Sequence, residues 1–120
     1  TGHLNPSLAL GRGIARRGHE VTVLTARRAR ERVERAGLRF VPAAREDAEL
    51  AAALDRLARM NGLSAAMYTG RLLRIGQDAL LRDLPEAVQT SGVEALVVDQ
   101  AMPAGAVVAE RLGLPYVVIC

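Results

Sequence analysis

Four short strand-like runs, three of them rich in β-branched residues, constrain this chain more than any other feature. They are the strand at 21–25 within HEVTVLT, LRFVP at 38–42, the strand over 95–98 within EALVVDQ, and PYVVIC at 115–120. Each follows a stretch with helical periodicity, and glycines close several of those stretches. Strand, helix and strand in alternation give a parallel sheet joined by right-handed crossovers. The expected fold class is therefore α/β, a Rossmann-like three-layer αβα arrangement around a parallel sheet.

The segments between the strands have readable ends. In TGHLNPSLALGRGIARRGHEVTVLT, Asn5 is a good N-cap and Pro6 stands where its missing N–H costs nothing. Leu8, Gly11 and Ala15, with Leu10 and Ile14 beside them, form an apolar stripe. Arg16 and Arg17 suit the last turn, and Gly18 suits a left-handed cap. Residues 26–37 read as an arginine-rich helix ending at Gly37. Residues 43–92 read as two or three helices, broken at Asn61-Gly62 and restarted near Asp83, Pro85 and Glu86. A last helix runs from about Pro103 to Leu112 and closes on Gly113.

A helix at the head of such a chain needs a strand before it. The expectation is that the 120 residues are a partial N-terminal domain, cut after a first strand and again inside a later one. With strand order 3-2-1-4-5, that first strand would lie between those at 21–25 and 95–98.

Composition excludes several functions. Net charge is +3 and every basic residue is arginine. Much of it sits in ARRARERVERAG, where Arg27/Glu31, Arg30/Glu34 and Glu31/Arg35 stand at helical i,i+4 spacing, as on a solvated face. Phe40, Tyr68 and Tyr116 are the only aromatics, so no stacking platform for single strands exists and nucleic acid is not an expected partner. No apolar run is long enough to span a membrane, which leaves at most a peripheral membrane contact. Cys120 is the only cysteine and fits a reducing, cytoplasmic setting. One cysteine and two separated histidines make no metal cluster, and Ser7 and Ser64 have no base partner.

Topology singles out one pair for chemistry. Ligands of open parallel sheets bind at the carboxyl ends of strands, where strand order reverses. His3 would follow the absent first strand and Asp99 follows the strand at 95–98, so adjacent strands could bring the two together. A carboxylate fixes the tautomer of such a histidine, whose free nitrogen can then take a proton from a hydroxyl. The helix start at Asn5–Ser7 favours a nearby anion. Base and anion site together suggest moving a group from a phosphorylated donor onto a hydroxyl. Structural alternatives stand beside this reading: a turn histidine that fills space, and an aspartate that caps the following helix. His19, after Gly18, reads as structural or solvent-facing. Met60, Met67 and Tyr68 could line an apolar pocket, but the i,i+4 spacing of Leu63 and Met67 reads more readily as core.

The opening stretch, with Gly-His-x-Asn-Pro and then Arg-Gly-His-x-Val-Thr, resembles the start of the family 1 UDP-glycosyltransferases. EALVVDQAMPAGAVVAERLGLPYVVIC resembles a later part of the same domain, and its wording is most similar to the zeaxanthin glucosyltransferase and macrolide glycosyltransferase branch. Residues 26–93 match in layout only. The resemblance implies a GT-B fold, with an acceptor-binding N-terminal domain facing a donor-binding C-terminal domain that this chain lacks. It implies His3 as the base and Asp99 as its partner, with no metal and no cofactor. It implies a UDP-sugar co-substrate and inverting transfer of a hexose to a small lipophilic alcohol or phenol. Gly2, Asn5, Met67, Tyr68, Gln100 and Met102 are the acceptor-binding candidates, and the fragment alone should be inactive. A lipid-linked cell-wall N-acetylglucosaminyltransferase-like enzyme shares the fold and a similar Gly-His turn, but Leu-Asn-Pro after His3 favours the first reading. A non-catalytic binding or activator partner would have no need for both His3 and Asp99.

Overall fold

The computed structural model describes residues 4–45 and 48–120. Helix α1 spans Leu4–Ala15, β1 Thr22–Thr25, α2 Arg30–Arg35 and β2 Arg39–Pro42. Helix α3 spans Ala48–Ala58, α4 Gly62–Ser91, β3 Leu96–Asp99, α5 Ala104–Leu112 and β4 Tyr116–Ile119. A short 3-10 turn, Arg27–Ala29, leads into α2.

All strand pairing among the described residues is parallel. β1 pairs with β2 in the register Val23 to Phe40, and β3 pairs with β4 in the register Val97 to Val117. The strands form two two-stranded sheets, β1-β2 and β3-β4, rather than one continuous sheet. These pairs are the two flanks of the expected order.

Alternation along each strand sorts the layers. Val23 and Phe40 face one side of β1–β2, where they pack with Leu8 of α1 and with Val33 and Leu38. Leu24 faces the other side and packs with Ala43, Leu84, Val88 and Val108. Helices therefore cover both faces of β1–β2, as a parallel sheet requires. Leu96 joins the same cluster as Leu24, so α4 and its neighbours give both sheets a shared core. Val98 points at α5, where a Cβ on Gly105 would stand 3.0 Å from a Val98 methyl. The opposite face of β3–β4 carries the register partners Val97 and Val117, both exposed.

Four details differ from the sequence expectations. Helix α1 already includes Asn5 and Pro6 in its first turn, so Asn5 is not the N-cap; its Oδ1 accepts instead from Arg32 Nη2 at 2.5 Å. Of the three ion pairs foreseen on the arginine-rich segment, Arg30–Glu34 (3.0 Å) and Arg35–Glu31 form. Arg27 lies in the 3-10 turn, where residues four apart no longer stack, and it makes no pair with Glu31. The break at Asn61-Gly62 is present, with Gly62 at φ 64°, but α4 then runs through Pro85 without restarting. An interior proline costs about 3 kcal/mol in an isolated helix. Here Leu84 and Val88, both buried, hold the helix against the core on either side of it. The fourth difference concerns Leu63 and Met67. They are not core: they are 78% and 75% exposed, because only the second half of α4 is packed into the shared core.

Candidate functional site

The carboxyl end of β3 is built as a tight loop onto α5. Asp99 is the last strand residue, and its Oδ1 accepts the Ala101 backbone N–H at 2.8 Å. Its carbonyl accepts the Met102 N–H at 2.8 Å, and Gln100 N–H donates to the Ile119 carbonyl at 3.0 Å. This is an aspartate bonding its own backbone two residues on, the arrangement that favours Asp at turns. Asp99 is half-buried, while Gln100 and Met102 are exposed beside it.

Helix α5 begins without a side-chain cap of its own, because Pro103 occupies the N-cap position. Its first N–H groups need partners from elsewhere. Gln77, in the middle of α4, supplies one: its Oε1 accepts the Ala104 N–H at 3.0 Å. The Gln77 amide nitrogen lies 3.4 Å from both the Ala101 carbonyl and Met102 Sδ. One amide thus holds the loop that carries Asp99 from the side. Sequence reasoning missed Gln77, and the available signal was indirect. DQAMPAG offers no Ser, Thr, Asn or Asp next to the start of α5, so an acceptor had to come from another element.

The remaining candidates are distributed more widely. His3 and Gly2 lie outside the described residues. Asn5 is turned toward α2, in a groove of about 330 Å³ shared with Leu8, Arg12, Arg32 and Arg35, rather than toward the Asp99 loop. Met67 and Tyr68 precede Gln77 on α4 by ten and nine residues, roughly 15 Å along the helix axis. Tyr68 is half-buried under the Arg56 guanidinium, 5.4 Å from the ring centre. The structure therefore groups Asp99, Gln100, Met102 and Gln77, and leaves Asn5, Met67 and Tyr68 apart from them.

A second groove, about 310 Å³, opens at the carboxyl ends of β1 and β2 between Pro42–Arg45 and α4. Asp83 anchors it from below. Its carboxylate accepts from Arg82 Nε at 2.9 Å and from the Arg45 backbone N–H at 3.0 Å. The Arg82 hydrogen bond, aided by the Arg45 N–H and opposed by desolvation, lowers the Asp83 pKa to about 2. Arg45 also pairs with Glu86 at 3.0 Å. Asp83 thus ties the segment after β2 to α4, and this is its part in place of a helix restart. Among the described residues no three His, Cys, Asp or Glu side chains are grouped to hold a metal ion.

The geometry, with parallel strands whose carboxyl ends carry an aspartate loop fixed from α4, can be set against known proteins. Residues 1–119 match the family model described as the glycosyltransferase family 28 N-terminal domain. The chain belongs to this glycosyltransferase family. It is 37% identical over 114 residues to a zeaxanthin glucosyltransferase of Pseudescherichia vulneris, an alignment covering 92% of this chain and 26% of that one. Over 115 residues it is 29% identical to a sterol 3-beta-glucosyltransferase of Saccharomyces cerevisiae, covering 96% of this chain and 10% of the yeast protein. A crystal structure of a calicheamicin glycosyltransferase superimposes with a TM-score of 0.73 at 26% identity, covering 98% of this chain and 29% of that structure. The fold is thus Rossmann-like and of the GT-B glycosyltransferase kind, as the opening motif implied. The chain spans about a quarter of the length of the zeaxanthin relative. No described helix of this glycosyltransferase domain is long and apolar enough to cross a membrane.

Proposed function

We propose that this chain is the acceptor-side part of an inverting glycosyltransferase that moves a hexose from a UDP-sugar to a hydroxyl of a small lipophilic alcohol or phenol. The observation that carries the reading is Asp99, the last residue of β3, on a loop fixed by its own carboxylate and by Gln77. His3 is the residue before α1 in sequence, and in this reading it lies across from Asp99. Asp99 holds the imidazole tautomer. The free ring nitrogen takes the acceptor proton as the acceptor oxygen bonds to the anomeric carbon, and the bond from that carbon to the diphosphate breaks. The base loses its driving force if the carboxylate is removed, because the imidazolium is no longer steadied.

The acceptor site in this reading comprises Gly2, Gln100 and Met102 near the base, with Met67 and Tyr68 toward the entrance; Asn5, whose amide oxygen accepts from Arg32 on α2, is not part of it. The named relatives support a lipophilic acceptor, since a zeaxanthin and a sterol glucosyltransferase are among them. The separation of β1–β2 from β3–β4 around a shared core supports a further strand of the full-length protein pairing between β1 and β3. The donor would be held mainly by a domain beyond this chain, and the single exposed Cys120 suits a cytoplasmic enzyme.

The test is product analysis with the full-length protein, UDP-glucose and a panel of alcohols from polar sugars to carotenoid, sterol and phenolic acceptors. The reading expects a β-linked glucoside of lipophilic acceptors from the α-linked donor. Transfer with retention, or transfer to polar sugars alone, would overturn it, and binding without turnover would mark a non-catalytic partner.

A further inference from the structure

Ala101 is held through both of its peptide groups. Asp99 Oδ1 accepts its N–H at 2.8 Å, and Gln77 Nε2 stands 3.4 Å from its carbonyl oxygen. The Asp99 carboxylate is therefore tied to Ala101 and cannot turn without disturbing the loop. Whatever places Ala101 also places the carboxylate.

The loop is fixed from two sides. On one, Gln100 N–H donates to the Ile119 carbonyl at the end of β4, at 3.0 Å. On the other stands Gln77, where α4 enters the core. Ala79, two residues on, is 3% exposed, and Asp83, Leu84 and Val88 beyond it are also buried. A side chain rooted there has a rigid base, and its two polar atoms have different partners. Oε1 accepts the Ala104 N–H at 3.0 Å and so caps α5. Nε2 faces two acceptors, the Ala101 carbonyl and Met102 Sδ. These partners admit one orientation of the amide, since an N–H turned toward the Ala104 N–H would meet no acceptor. The capping bond has ordinary length, whereas the two contacts at 3.4 Å are long. Oε1 therefore carries most of what Gln77 gives to stability, and Nε2 sets where the loop lies.

That division matters to proton transfer. A carboxylate steadies an imidazolium only in hydrogen-bond geometry, and a misplacement of about 1 Å costs on the order of 100-fold in rate. We propose that Gln77 is a positioning residue for glycosyl transfer, its amide N–H on the Ala101 carbonyl setting the Asp99 carboxylate against the base. This role rests on the reading of His3 and Asp99 above. It goes beyond that reading in separating helix capping from catalysis within one side chain. A residue that only capped α5 would serve equally well as glutamate, whose charge suits a helix N-terminus.

The test is Gln77→Glu in the full-length protein, with UDP-glucose and an alkyl alcohol acceptor. An ionised glutamate keeps an oxygen for the Ala104 N–H but has no N–H for Ala101, and its charge repels that carbonyl. The expected result is a kcat lower by about 10- to 100-fold at nearly parental acceptor KM, with a thermal midpoint close to the parent. In an Asp99→Asn background the same substitution should lower kcat by no more than about threefold further, because the amide it displaces steadies no imidazolium. Gln77→Met, which fills the space with neither polar group, should also lose kcat, and it replaces Gln77→Glu if that variant does not fold. Parental kcat in folded Gln77→Glu or Gln77→Met would overturn the proposal. So would losses that multiply independently in the double variant, or a raised KM at parental kcat, which would put Gln77 on the acceptor itself. Asp99→Asn alone separates the two readings. Parental kcat there overturns the account of His3 and Asp99, whereas a lowered kcat there with parental kcat in Gln77→Glu overturns only the role of Gln77.

Discussion

Gln77 and Ala104 are joined across the contact between α4 and α5, the Gln77 Oε1 accepting the Ala104 backbone N–H at 3.0 Å. The same amide reaches the Ala101 carbonyl and Met102 Sδ, so the Asp99 loop is set by a residue more than twenty positions away. Gln77→Leu removes the acceptor and leaves an N–H at the start of α5 without it, an expected loss of about 1–2 kcal/mol. Gln77→Glu keeps an acceptor oxygen and adds a charge favourable to a helix N-terminus, so it should stay closer to the parent. Thermal melts of the two full-length variants check this order. A Gln77→Leu protein as stable as the parent would mean that the loop is held by other contacts.

Gly105 is required by Val98. A Cβ at Gly105 would lie 3.0 and 3.3 Å from the two Val98 methyls and 3.7 Å from its Cβ. Rotation of the valine still leaves one methyl facing Gly105, and β-branching makes that rotation costly. Gly105→Ala should therefore lose about 1 kcal/mol despite the better helix propensity of alanine, and Gly105→Val should lose more. Urea titration of the full-length variants reads both. A stabilised Gly105→Ala protein would show that α5 and β3 can move apart freely.

Asp83 carries a pH signature. Its pKa is about 2 in the folded chain against an ordinary 3.8, chiefly because Arg82 hydrogen-bonds the carboxylate. A lowered folded pKa gives stability that is fully present above the unfolded pKa and is lost as pH falls through the folded one. The stability gap between the parent and Asp83→Asn should be widest above about pH 4 and close as pH falls toward about 2. Denaturation measured across that window checks it; a constant gap would mean that the carboxylate charge contributes nothing.

The parts of the fold that depend on local chemistry were legible in the sequence. Short apolar runs marked the four strands of the described residues, and Gly37 and Gly113, with φ of 74° and 67°, ended helices as such residues do. What escaped depended on distant partners. Pro85 and Asp83 look like a helix restart until Arg45 is seen donating its N–H to Asp83 from beyond β2. Leu63 and Met67 have core spacing, but spacing alone does not say whether anything packs against a helix face. Gln77 carries no local signal, because its role is set by a vacancy at Pro103 on another element. The place of Asp99 at the carboxyl end of β3 was legible because a strand end at the sheet's carboxyl edge is a position that topology fixes.

The central claim is a general base at His3 oriented by Asp99, and the most direct measurement is turnover by the full-length protein with His3→Ala, using an alkyl alcohol acceptor at saturating UDP-sugar. The account predicts that kcat falls on the order of 10²–10⁴-fold while the fold and UDP binding persist. Asp99→Asn should give a smaller loss, and phenols, which release their protons more readily, should suffer less than alkyl alcohols in both variants. Parental kcat for correctly folded His3→Ala on an alkyl alcohol would contradict the account.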